Sequence, residues 1–168
     1  MNGPMDDQDI RVDSVGPFDL QVLAILHAAC FDDRWDEPAI AALLAMPGAF
    51  GFLASAASLP AGFLLARVAA DEAEILSIGV APDRRRRGVG GYLLERALDC
   101  AAGGGAVRVL LEVAEDNIAA RAFYLRYGFA VVGRRSGYYR RAAGPPVAAL
   151  IMSAQTVDRS RSDPRSDL

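Results

Sequence analysis

The stretch I-L-S-I-G-V-A-P-D-R-R-R-R-G-V-G-G-Y-L-L, residues 75–94, decides how the chain folds. It opens as an apolar strand, turns through four consecutive arginines and enters an amphipathic helix over glycines. A strand, a glycine loop and a helix N-terminus together make an anion site. The amides of the first helical turn have no partner inside the helix, and the helix dipole is positive there. Arg84, Arg85, Arg86 and Arg87 add guanidinium charge suited to phosphate. Residues 84–91 are therefore expected to hold the diphosphate of a nucleotide-like ligand. The plainer alternative is a solvated arginine turn capping an ordinary helix. Two phosphate loops are excluded. The pattern G-x-x-x-x-G-K-[ST] needs a lysine, and all 18 Lys and Arg residues here are arginine. The fingerprint G-x-G-x-x-G lacks its third glycine, because Gly88-Val89-Gly90-Gly91 runs into Tyr92 and Leu93. What remains is R-x-x-G-x-G, from Arg85 through Gly88 to Gly90.

Outside this loop the chain is ordinary for one domain: 168 residues, 52% of them hydrophobic. A net charge of −3 argues against bulk nucleic-acid binding despite the arginine run, so the basic charge is local and suits a small polyanion. Cys30 and Cys100 are too few for a disulfide framework, and with the single His27 they do not make a zinc site. No stretch reads as a signal peptide, so the cytoplasm is the expected compartment. Residues 38–66 carry no charge and are long enough to span a membrane. Pro47, Gly48, Gly51, Pro60 and Gly62 interrupt them, and a helix followed by a hairpin explains them better.

Taken in order, residues 1–9 are polar and expected to be frayed. Ile10–Asp13 alternate as a short strand. Pro17 opens a helix to about residue 30, with Leu20, Leu23, Ala24 and Leu26 on one face. His27 on that helix reads as a packed or surface residue. Asp36 is placed to cap a second helix from Glu37 to about Ala45. Strands are expected at 50–55 and 62–69 with a turn through Ser58-Leu59-Pro60, then at 74–80 with Gly79 inside it. A glycine within a strand marks a bulge or a close backbone approach. A helix follows from Val89 to about Ala101, a strand at 107–113, and a helix capped by Asp116 or Asn117 and ended by Gly128. Strands from Phe129 to about Gly137 and from Val147 to Ser153 complete the set. A Ser-, Arg- and Asp-rich tail from about Gln155 is expected to be disordered. Strands followed by alternating strand and helix describe a mixed α/β sheet.

The motif R-x-x-G-x-G is joined by L-E-V-A-E-D-N-I-A-A-R-A-F-Y-L-R-Y-G-F at 111–129. Together they resemble the GNAT acetyltransferases. The segments R-W-D-E at 34–37, S-I-G-V-A-P-D at 77–83 and R-R-S-G-Y-Y at 134–139 resemble most closely the bacterial RimI-type ribosomal-protein N-terminal acetyltransferases. The resemblance spans roughly residues 10–154 and implies the α/β GNAT fold, a mixed, mostly antiparallel seven-stranded sheet flanked by about four helices. That makes 10–154 one domain between disordered ends at 1–9 and 155–168. It implies acetyl-CoA as the acetyl donor and a protein N-terminus, a ribosomal protein among the candidates, as acceptor. It implies no metal, no nucleic-acid partner and no membrane. Glu112 matches the general base and Tyr124 the general acid. Asn117 matches an acetyl-CoA contact. Ile78, Gly79 and Val80 match backbone contacts to pantetheine and thioester, and Arg85, Arg86, Arg87, Gly88, Val89, Gly90 and Gly91 match the diphosphate loop. Trp35, Tyr138 and Tyr139 fall on the acceptor side.

The chemistry of the residues agrees with this. Attack on a thioester needs a neutral amine, and an α-amine (pKa about 7.7–8.0) is neutral far more often than a lysine (about 10.4). A carboxylate near 4.3 is a weak base and works best through a water or in a raised-pKa environment. A tyrosine near 10 is matched to protonating a departing thiolate near 8.5. A strand amide at Gly79–Val80 is placed to face the developing oxyanion. Read without the resemblance, Glu112 is equally a solvated strand-end carboxylate, Tyr124 a core aromatic, and Asn117 a helix cap. One or two of Arg84–Arg87 are expected to face solvent. The segment R-R-A-A-G-P-P at 140–146 departs from the polar, acidic stretch expected there, and it lies toward the acceptor. Two rival functions share the same CoA half: a small-molecule amine acetyltransferase, which would have a closed acidic pocket, and a CoA-binding module without turnover.

Overall fold

The computed structural model describes residues 9–156. The tails expected at the two ends lie, apart from Asp9, Gln155 and Thr156, outside the described residues. Among the described residues seven strands form one sheet: β1 (Ile10–Ser14), β2 (Ala49–Ala56), β3 (Leu59–Ala69), β4 (Glu72–Val80), β5 (Arg108–Ala114), β6 (Ala130–Tyr139) and β7 (Val147–Gln155). Their order across the sheet is β1-β2-β3-β4-β5-β7-β6. Every neighbouring pair is antiparallel except β4 and β5. That pair is parallel because a helical crossover separates it, as parallel strands require. The helices are α1 (Leu20–Cys30), α2 (Glu37–Leu44), α3 (Val89–Gly103) and α4 (Ile118–Arg126).

Each side of the sheet has its own core. Leu93, Leu94 and Ala97 of α3 and Tyr124 of α4 bury one face with Leu64, Ala66, Ile75, Val109, Leu111, Val113 and Met152. Leu23 and Leu26 of α1 and Ile40 of α2 cover Phe63 and Leu65 on the other. Fully burying a leucine stabilises the fold by about 1.5–3 kcal/mol, so Leu93 and Leu94, both fully buried, hold α3 in place. Side-chain caps start two helices. Asp36 Oδ1 accepts the Ala39 N–H at 2.9 Å, and Asn117 Oδ1 accepts the Ala120 N–H at 3.1 Å.

The expected turn at Ser58-Leu59-Pro60 is corrected. Leu59 and Pro60 already belong to β3, opposite Ala56 and Ser55, and the turn is Ala57-Ser58, both at positive φ (51° and 62°). A two-residue hairpin turn of that hand matches the twist of its strands. Pro60 is tolerated because the register shifts beside it.

The central strand carries the feature that shapes the site. Its pairing with β3 slips between Leu65↔Ser77 and Ala66↔Ile75, so the extra residue is Leu76. The bulge is therefore at Leu76 and not at Gly79, which pairs regularly with Phe63. Gly79 answers to close approach instead. A Cβ there would stand 2.7 Å from Phe63 Cε1 and 2.9 Å from Cys30 Sγ. Pairing of β4 with β5 runs only from Glu72↔Arg108 to Ile75↔Leu111. It stops where the bulge begins, a bulge bends its strand, and beyond it β4 and β5 part and leave a gap.

Candidate active site

The gap lies between the ends of β4 and β5, the loop into α3 follows β4, and the C-terminal half of α4 packs against that loop through Phe123 and Tyr127. The Ala81 N–H donates to Ala61 O at 2.8 Å, so the backbone of residue 81 faces β3. Alternation along an antiparallel strand then turns the N–H and C=O of Ile78 and Val80 toward the gap and those of Gly79 toward β3. Of the three β4 residues expected to meet a ligand, Ile78 and Val80 offer backbone groups. Gly79 offers none, because its backbone faces β3 and the place of its missing side chain is taken by Phe63 and Cys30. The Val80 carbonyl is held from two sides, by the Cys30 thiol at 3.4 Å and by Arg85 Nε–H at 3.1 Å. Burial pushes the Cys30 thiol above its ordinary pKa, and Arg85 partly opposes this.

The loop into α3 is a cradle of backbone amides. Gly88 caps the helix in the left-handed region (φ +87°), which glycine adopts at no steric cost. The Tyr92 N–H makes the first bond back, to Gly88 O. The N–H groups of Val89, Gly90 and Gly91 therefore have no acceptor within the helix. Arg84 is half-buried beside Asp83, 3.4 Å away, and Arg85 turns back to Val80. Arg86 and Arg87 are exposed on the loop. The α4 side of the cradle is aromatic. Phe123 packs 3.5 Å from where a Gly90 Cβ would be, and the Tyr127 hydroxyl fills the place of a Gly91 Cβ.

Glu112 on β5 and Tyr124 on α4 come from different elements. Glu112 leaves β5 on the face opposite to Val113, and its side chain is 23% exposed. Tyr124 is 7% exposed, packed against Phe123 and Phe129. Its burial, with Tyr139 nearby, pushes the hydroxyl far above the ordinary tyrosine value. Tyr124 is therefore protonated at rest and a weaker acid than an ordinary tyrosine, less closely matched to a thiolate than a free phenol. Tyr139 links the two, since burial and then the charge of Glu112 raise its own pKa. Asn117 commits its Oδ1 to the α4 cap, which leaves its NH2 as the group able to face a ligand.

Three ion pairs tie β6 and the loop after it to the end of β5. Arg134 grips Glu115 with two bonds at 3.0 and 2.8 Å, Arg135 reaches Glu112 at 3.2 Å, and Arg141 reaches Asp116 at 2.6 Å. The Arg134 hydrogen bond holds the Glu115 carboxyl below its usual range. Tyr138 is half-exposed beneath the Arg135 guanidinium and edge-on to Tyr139. The residues between Arg135 and Tyr139 bulge out of register with β7. The loop at 140–146 is thus held by Arg141, a contact that its composition alone does not announce.

Trp35 is placed by His27. The two rings stack 4.8 Å apart, and the Trp35 backbone N–H donates to His27 Nδ1 at 3.2 Å. His27 is a packed residue, as the sequence suggests, and burial lowers its pKa. It fixes the loop between α1 and α2 that carries Trp35. Sequence reading missed Arg135, Tyr127 and the paired role of Cys30 and Arg85. The available signal was weak: a doubled arginine two residues ahead of a Gly-Tyr-Tyr, and a helix ending in tyrosine.

Comparison with known proteins bears on this arrangement. A model described as the acetyltransferase (GNAT) family matches residues 20–129. The chain is 34% identical over 165 residues to the N-alpha-acetyltransferase RimI of Mycobacterium tuberculosis, covering 95% of this chain and 98% of that protein. It is 42% identical over 91 residues to the [ribosomal protein bS18]-alanine N-acetyltransferase of Salmonella typhimurium, covering 54% of this chain and 62% of that one. The crystal structure of the ribosomal-protein-S18-alanine N-acetyltransferase from Escherichia coli superposes with a TM-score of 0.81 at 28% identity, over 88% of this chain and 94% of that chain.

Proposed function

Because the chain belongs to the acetyltransferase (GNAT) family and is an N-acetyltransferase, we propose that it moves the acetyl group of acetyl-CoA to the N-terminal α-amine of a protein. A ribosomal protein is the first candidate acceptor, in line with what its relatives are named for. The observation that carries this reading is the gap between β4 and β5. The backbone of Ile78 and the Val80 N–H turn toward it on one side, and the amides of Val89–Gly91, with no acceptor inside α3, belong to the loop that follows β4. Glu112 and Tyr124 are taken as the reacting groups at its other end.

In this reading the amides of 89–91 take the diphosphate and the backbone of Ile78 pairs with the pantetheine arm. Acetyl-CoA supplies an activated thioester. Glu112 accepts the proton that the attacking amine gives up, through a water or directly. Tyr124, buried and protonated, donates its proton to the sulfur as the C–S bond breaks. The Val80 N–H, turned into the gap, is the donor placed for the charge that builds on the carbonyl oxygen. Trp35, Tyr138 and Tyr139 border the acceptor side. The cavity beside Glu112, about 270 Å³, is lined by Arg67 and Arg135 as well as Glu72, Glu74 and Glu112, which is not the closed acidic pocket a polyamine would need.

The test mixes protein, acetyl-CoA and a panel of peptides with free N-termini alongside small amines, and follows thiol release. Acetylation of peptide α-amines supports the reading. Release with small amines alone points to the small-molecule enzyme, and CoA binding without release points to a non-catalytic module.

A further inference from the structure

On the reading that this site acetylates an α-amine, we infer that Arg135 is a positioning residue that also selects the neutral form of the acceptor amine. Arg135 is on β6, which lies one strand beyond β7 from Glu112. Glu112 pairs with Ile151 and Arg135 with Ala149, so the guanidinium crosses β7 on a diagonal to reach Glu112 Oε1 at 3.2 Å. Its other side lies 5.5 Å from the centre of the Tyr138 ring, which in turn meets Tyr139 edge-on at 5.0 Å. Glu112, Arg135, Tyr138 and Tyr139 thus form one connected set.

An ion pair this exposed (the Arg135 side chain is 55% accessible) adds little to stability. Its consequence is geometric and electrostatic. With Oε1 engaged by Arg135, Oε2 is the oxygen left to accept a proton. Any amine that reaches Oε2 comes within a side-chain's width of the Arg135 guanidinium. The other charged groups lining this cavity are Arg67, whose Nε–H donates to Pro47 O, Glu72, which pairs with Arg108, and Glu74. A cation at this distance repels an ammonium and leaves a neutral amine untouched. At surface screening this amounts to roughly a three- to tenfold preference. It acts in the same direction as the lower pKa of an α-amine, about 7.7–8.0 against about 10.4 for lysine.

The test compares wild type, Arg135→Gln and Arg135→Lys on one peptide with a free N-terminus, at pH 6.5, where the amine is mostly charged, and at pH 8.5, where it is mostly neutral. In wild type the peptide KM rises steeply toward pH 6.5. In Arg135→Gln that rise shrinks by roughly three- to tenfold and kcat falls about tenfold at both pH values, with CoA affinity unchanged. Arg135→Lys keeps the wild-type KM ratio. An Arg135→Gln enzyme with wild-type kcat and KM ratio overturns the role of Arg135 alone, as does an Arg135→Lys enzyme that behaves like Arg135→Gln. A wild-type protein that binds CoA and acetylates no peptide overturns the underlying reading instead.

Discussion

Gly91→Ala tests whether α3 and α4 are fitted to each other around the diphosphate cradle. A Cβ at position 91 overlaps the Tyr127 hydroxyl oxygen, and the next atom, Tyr127 Cζ, is 3.4 Å away, which is tight but tolerable. Forcing a methyl group into such a contact costs about 1–3 kcal/mol. Alanine in place of glycine returns up to about 1 kcal/mol of helix propensity. The single variant is therefore expected to lose about 1 kcal/mol on balance and to weaken CoA binding, because Tyr127 must move off the first turn of α3. Tyr127→Phe removes the one atom in conflict and is close to neutral by itself, within about 0.5 kcal/mol. In the double variant the clash is gone and the propensity gain remains, so Gly91→Ala becomes neutral or stabilising. The coupling read from urea unfolding of the four proteins, with equal m-values, is about 1–3 kcal/mol. A coupling below about 0.5 kcal/mol, the usual scatter of additive pairs, refutes the proposed fit.

Tyr124→Phe should lower kcat by about 10²–10⁴-fold with unchanged CoA affinity and unfolding midpoint; a variant that retains wild-type kcat removes Tyr124 from the chemistry. Glu112→Gln should lower kcat to a similar degree, about 10²–10⁴-fold, read from the same thiol-release assay. His27 predicts a pH effect. Burial lowers its folded pKa below 6.5, so below that pH the unfolded chain binds the extra proton more readily and stability declines as pH falls. The nearby Asp33 partly offsets this. Asn at position 27 keeps an acceptor for the Trp35 N–H but does not titrate, so the difference in urea midpoint between pH 7.5 and pH 5.5 should shrink in His27→Asn. An unchanged difference assigns the effect to other groups.

Much of this molecule is legible in its sequence because the signals are local. Asp36 and Asn117 announce their helices by capping them, Gly88 marks a left-handed entry into α3, and the apolar spacing of Leu93, Leu94 and Ala97 fixes the face that α3 buries. The details that shape the site are not local. Nothing about Leu76 as a residue type marks a bulge; it arises from the register of β3 against β4 and from the end of pairing with β5. A glycine inside a strand marks either a bulge or a close approach, and at Gly79 it is the second, the approach of Phe63 and of Cys30 on α1, 49 positions earlier in the chain. The turn at Ala57-Ser58 lacks the usual Gly or Asn, and Pro60 drew attention to the wrong residues. The ion pairs of Arg134, Arg135 and Arg141 depend on the placement of β7 between β5 and β6, which no spacing in the sequence specifies.

The central claim is that the parting of β4 from β5 creates the seat of the acetyl donor. A crystal structure with coenzyme A bound tests it most directly. The account predicts diphosphate oxygens about 3 Å from the amides of Val89, Gly90 and Gly91, with the pantetheine arm paired to the backbone of Ile78 and its sulfur beside Tyr124. Coenzyme A bound elsewhere, or a gap between β4 and β5 that stays empty at saturating ligand, would contradict it.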